Sequence, residues 1–164
     1  TFPAGDFGSQ LQMAARLLVG GVQVPVIKAT LGGFDTHANE QNDQPPLLAQ
    51  LASGIAAFSE SMKKHNLWDR VMVMTYSEFG RRARENGSGG TDHGTAAPHF
   101  IAGGKVKGGF YGAQPSLTEF FDGNNLTYTT HFRSMYATAA QEWWGISAPF
   151  LKEKPLELLL QSSR

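Results

Sequence analysis

Apolar positions at Leu11, Ala14, Ala15, Leu18 and Val19 recur at three- and four-residue spacing, and Gly20-Gly21 follows them. This predicts a helix over Phe7–Gly20. Val22 to Leu31 is rich in β-branched residues and closes on Gly32-Gly33, the pattern of a strand. A polar loop runs through Asn42. Asp43 is placed as an N-cap with Pro45-Pro46 at the helix start, and Leu47, Leu48, Leu51, Ile55, Phe58 and Met62 form one apolar stripe to about His65. Arg70 to Tyr76 reads as a second strand, Arg81 to Gly90 as a polar loop, and Pro98 to Ala102 as a short strand. Gly103 to Pro115 is turn-rich. A last helix is expected over Phe132–Trp144, ending at Gly145, before an irregular or briefly helical tail. Two strands joined by a helix are the βαβ signature, so the expected fold class is α/β, a mostly parallel sheet flanked by helices.

The chain of 164 residues fits a single α/β domain over 1–164, and 41% hydrophobic residues supply a core. Zero formal net charge and the lack of long like-charge blocks argue against nucleic acid as a partner. Without cysteine there is no disulfide, no thiolate ligand and no cysteine nucleophile. No apolar stretch is long enough for a membrane span. The opening Thr1-Phe2-Pro3 lacks an initiator methionine, which suggests a processed product or an excised piece of a longer protein.

Three stretches concentrate the chemistry: Gly32-Gly-Phe-Asp-Thr-His37, Ser77-Glu-Phe-Gly-Arg81 and Gly90-Thr-Asp-His-Gly94. Asp35 and His37 stand two residues apart, so on an extended loop they point the same way and can share a metal; the bland alternative is an Asx turn with a solvent-facing His. Glu78 follows the second strand, with Arg81 and Arg82 beside it to pair with it or to bind an anionic substrate oxygen; a surface Glu–Arg bridge is the alternative. Asp92-His93 is bracketed by glycines that let backbone approach a ligand, or it is a loop turn. Ligand sites in parallel sheets lie beyond the carboxyl ends of strands, which would put Asp35–His37 and Glu78 on one rim. Thr36, Ser77 and Thr91 are the local hydroxyl nucleophiles on offer. His65, His99, His131 and the Trp143-Trp144 pair read as structural. No Gly-x-Ser-x-Gly, Walker, Gly-x-Gly-x-x-Gly or His-Glu-x-x-His motif occurs, which lowers the odds of the corresponding enzyme classes.

The strings Leu31-Gly-Gly-Phe-Asp-Thr-His-Ala-Asn39, Ser77-Glu-Phe-Gly-Arg81, Gly90-Thr-Asp-His-Gly94 and Gly103-Gly-Lys-Val-Lys-Gly-Gly109 occur in this order, followed by His131-Phe-Arg-Ser-Met-Tyr-Ala137 with Trp144-Gly145. Together they resemble domain-of-unknown-function family 1501, from about Asp6 to Gly145. The resemblance implies a bacterial, sulfatase-like protein of the alkaline-phosphatase superfamily, periplasmic or secreted, although the cytoplasm also fits a chain without cysteine. It implies a divalent metal (zinc, manganese or calcium) and a small-molecule or glycan ester as substrate, cleaved at phosphate or sulfate. Two mappings of its site compete. In one, Asp92-His93 is the superfamily's Asp-His pair. In the preferred one, Asp35, His37 and His93 share one metal, Glu78 replaces that pair, and Asp92 orients His93 or binds directly. Neither the superfamily's Ser or Thr nucleophile nor its first metal aspartate has a match. The chain therefore reads as the C-terminal part of a larger domain, incomplete for catalysis, whose uncovered sheet surface would favour self-association. The alternative function is a non-catalytic ligand- or partner-binding module.

Overall fold

The computed structural model describes residues 1–160. The chain divides into two compact units, Thr1–Val71 with Arg84–His93, and Met72–Ala83 with the residues from Gly94 onward.

In the first unit, α1 (Asp6–Val19) and α2 (Glu40–Lys64) pack together. The seam is built from Phe7, Leu11, Ala14 and Ala15 of α1 and from Phe58 and Met62 of α2, all buried. Gly54 is where they come closest: a Cβ there would stand 2.6 Å from the Phe7 ring and 2.9 Å from Leu11. Asn39, not Asp43, caps α2, with a left-handed φ of 50° that Asn accommodates better than most residues. Asp43 instead sits in the first turn and accepts a hydrogen bond from Asn39 Nδ2.

Val22–Leu31 does not form a strand; the segment is extended and mostly exposed, and has no ladder partner among the described residues. Pro25 interrupts the run and cannot donate to a ladder. At Thr30 a side chain does what a neighbouring strand would do: Gln10 Oε1 accepts from Thr30 N at 2.8 Å and Gln10 Nε2 donates to Thr30 O at 3.1 Å.

In the second unit, β1 (Met72–Met74) pairs antiparallel with β4 (Ile101–Gly103), in the register Met72–Gly103, Val73–Ala102, Met74–Ile101. The other sheet of the chain is the two-stranded pair β2 (Gly80–Glu85) and β3 (Thr91–Gly94). Arg81–Gly90, expected as a polar loop, thus supplies most of β2. Gly80 and Gly94 allow the base of this hairpin to close: a Cβ would lie 2.0 Å from the Ala96 carbonyl oxygen at Gly80, and 2.5 Å from the Arg81 backbone at Gly94. The glycines of both motif strings thus have a packing explanation. The expected parallel sheet flanked by helices is absent from the described residues, and with it the alkaline-phosphatase-like fold. The βαβ inference fails because its first strand carries Pro25 and finds no partner, and its second is three residues long and pairs antiparallel.

α3 (Phe132–Ala137) begins where His131 Nδ1 accepts from the Arg133 N–H at 3.2 Å, and it opens into a π-helical turn over Thr138–Trp143. Thr138 is fully buried there; its hydroxyl donates to Ser134 O at 2.7 Å and accepts from Leu156 N at 2.8 Å, tying the C-terminal segment to the helix. His99, half-buried in the same unit, has its pKa held below the ordinary 6.5 by desolvation. No helix among the described residues is long and apolar enough to cross a membrane.

Candidate metal centre

Two segments of the first unit carry the candidate ligands: the stretch before α2, with Asp35 and His37, and β3, with Asp92 and His93. Glycine makes their contact possible. A Cβ on Gly90 would lie 2.3 Å from His37 C, 2.4 Å from Thr36 O and 2.5 Å from Ala38 N. With hydrogen in its place, Thr91 N donates to Thr36 O at 3.1 Å and Ala38 bridges Gly89. The first residue of α2 fastens the same junction, since Glu40 N donates to Gly89 O at 2.9 Å and Glu40 Oε2 accepts from the Thr91 hydroxyl at 2.7 Å.

The result is a cluster of three donors. Asp35 Oδ1 stands 3.0 Å from His37 Nε2 and 2.8 Å from His93 Nε2. One ligand atom from each of Asp35, His37 and His93 falls within 4.8 Å of the others, and all three residues are exposed. The two imidazoles lie 4.9 Å apart, tilted by 36°. Donors about 2.0–2.1 Å from a tetrahedral zinc stand roughly 3.3 Å from one another. The two Asp35–imidazole separations lie within about half an ångström of that spacing, and the whole set stays within 4.8 Å. Two imidazoles and one carboxylate are also a known catalytic donor set that leaves coordination positions open. The residues fit a divalent ion.

Asp92 lies on the far side of His37, with Oδ1 3.6 Å from Nδ1. That is too long for a hydrogen bond and close enough for electrostatic orientation of the ring. The sequence reading has Asp92 orient His93 or bind the metal directly; the structure also sets it beside His37 Nδ1. Asp92 in turn accepts from Asn86 Nδ2 at 3.2 Å. Asn86 was not singled out in the sequence, although Asn86-Gly87 is a strong hairpin-turn signal. Thr36, between the two ligands, is 4% exposed, and its hydroxyl has no partner among the described residues.

Glu78, Arg81 and Arg82 belong to the second unit. Glu78 is exposed in a turn where the Ser77 hydroxyl donates to Phe79 O at 2.9 Å, and Arg81 lies 5.8 Å over the Phe79 ring. None of the three is a member of the three-donor cluster. An open pocket of about 300 Å³ in the first unit is lined by Asn39, Gln41, Asn42, Glu85 and Ser88 among others. It carries carboxamides, a hydroxyl and a carboxylate but no cation, so it does not suit an anionic group.

A family model described as "Protein of unknown function (DUF1501)" matches residues 2–144. The chain belongs to this family. Both halves of the three-donor cluster and the Asn86 turn fall inside the matched region of this DUF1501 chain. No curated protein and no solved structure matches it.

Proposed function

We propose that this DUF1501 chain binds one divalent ion through Asp35, His37 and His93 and serves metal-dependent hydrolysis of a phosphate or sulfate ester. The observation that supports it is the three-donor cluster, assembled by Gly90 from segments far apart in sequence. Imidazole donors favour zinc over manganese and calcium, which prefer oxygen-rich shells. A bound ion would supply Lewis acidity toward an ester oxygen. Of the chain's own residues, Asp35 faces both imidazoles through one oxygen, and Asp92 orients His37 from behind. The choice of phosphate or sulfate ester rests on the motif resemblance. So does an exported location.

The test is elemental analysis of the purified protein after dialysis, together with Asp35→Ala and His93→Ala, followed by turnover of chromogenic phosphate and sulfate esters. Near-stoichiometric metal lost in both variants, with turnover lost in parallel, supports the reading. A second reading, a non-catalytic binding module, is favoured by one feature: 2.8 and 3.0 Å are hydrogen-bond lengths, so Asp35 can join both imidazoles without an ion. Retained metal without turnover would support that module as a metal-binding one. An absence of retained metal in the wild type would end the metal reading.

A further inference from the structure

The Asn86 side chain touches both ligand-bearing segments and the turn joining β2 to β3, and its four hydrogen bonds divide cleanly. Its Nδ2 donates to His37 O at 2.9 Å and to Asp92 Oδ1 at 3.2 Å. Its Oδ1 accepts from Ser88 N at 2.9 Å and Gly90 N at 3.2 Å. The partners fix the amide's orientation, because a flip would set NH₂ against two N–H donors and oxygen against two acceptors. The backbone adds a fifth tie, Asn86 N donating to Gly90 O at 2.7 Å.

We infer that Asn86 is the positioning residue of the metal centre: its Nδ2 holds Asp92 behind His37 and fixes the His37 backbone, so that when an ion displaces the proton from Nε2, the proton on Nδ1 faces Asp92. This deepens the metal reading and rests on it for its functional meaning. The two halves of the amide have separable duties. The oxygen builds the turn, as any Asx side chain does. The nitrogen serves the ligands. Partners of this kind outside the ligand shell are worth roughly 10- to 100-fold in metal affinity.

Asn86→Asp separates the two duties. It keeps an oxygen for Ser88 and Gly90, and it replaces the donor with an acceptor facing two acceptors. The added negative charge would by itself draw a cation in, so a loss of affinity cannot come from charge. The experiment measures zinc affinity by chelator competition, the thermal midpoint, and the His37 ring ¹⁵N and ¹³C shifts in zinc-free protein, for wild type, Asn86→Asp and Asn86→Ala. The expected result is a thermal midpoint for Asn86→Asp close to wild type, zinc affinity weaker by roughly 10- to 100-fold, and His37 ring shifts displaced from wild type as Asp92 leaves Nδ1; Asn86→Ala loses midpoint and affinity together. Wild-type affinity in Asn86→Asp would overturn the inference, as would a midpoint that falls in step with affinity. If the wild type binds no zinc, the metal reading fails on its own, and the zinc-free ring shifts still decide the positioning role: unchanged His37 shifts in Asn86→Asp overturn it.

Discussion

Replacing Gly90 by Ala tests whether the candidate centre depends on backbone touching backbone. The new Cβ would sit 2.3–2.5 Å from atoms of Thr36, His37 and Ala38, all of them main chain. Carbon atoms at rest stand about 3.5–4.0 Å apart, so the segments must part by about an ångström or more, and no side chain can rotate to absorb it. Overpacking of this kind costs roughly 1–3 kcal/mol. The bond from Thr91 N to Thr36 O would break as well, adding about 0.5–1.5 kcal/mol. The alanine returns about 0.4–1 kcal/mol by restricting the unfolded chain. The expected net loss is about 1–4 kcal/mol, read by urea unfolding, with zinc affinity down at least tenfold because His37 and His93 separate. Gly87, in the same hairpin, is the internal control. Its added Cβ would meet nothing within 4 Å and its φ is not left-handed, so Gly87→Ala should leave stability and affinity near wild type. Equal behaviour of the two variants would refute the close-approach reasoning.

Other substitutions give outcomes of different sign. Thr36→Val removes a buried hydroxyl that has no partner among the described residues; it should leave stability unchanged or raise it by up to about 1 kcal/mol, measured by thermal unfolding, and a loss above that size would show that the hydroxyl is bonded in solution. Thr138→Val strands the Leu156 N–H and should cost about 1–3 kcal/mol, checked by the same unfolding experiment. For His99 the folded pKa lies below the unfolded one, so the unfolded chain takes up the proton first. Stability is then complete above pH 6.5 and falls as pH drops from 6.5 through the folded value; a stability–pH curve should flatten there in His99→Gln, and an unaltered slope would remove His99 as its source.

The helices were readable because their signals are local. The α1 stripe and its glycine stop place that helix within a residue of its observed ends, and the α2 stripe places the body of the second, whose start moves back to the Asn39 cap. β1 falls inside Arg70–Tyr76 and β4 overlaps Pro98–Ala102, both read as strands, but their antiparallel partnership was not readable, because pairings are not local. Val22–Leu31 has strand composition, yet Pro25 interrupts it and Gln10 takes the bonds at Thr30. Arg81–Glu85 has loop composition, yet Gly80, Gly94 and the Asn86 turn fold it into a hairpin. At the candidate centre, residue types pointed to Asp35, His37 and His93, while the place of Asp92 beside His37 came from geometry alone. Asn86 carried a turn signal whose consequence for the ligands appears only once both strands are in place.

Asp35 and His93 are 58 positions apart, with the whole of α2 between them. An ion held by both closes that long loop, as a cross-link would. It would bind only a chain whose first unit has already formed, so occupancy and folding would be linked: at an ion concentration a hundred times the Kd, the folded state gains about 2.7 kcal/mol. Chelation would then act as a denaturing step, and the supply of metal would set how much of the protein is folded.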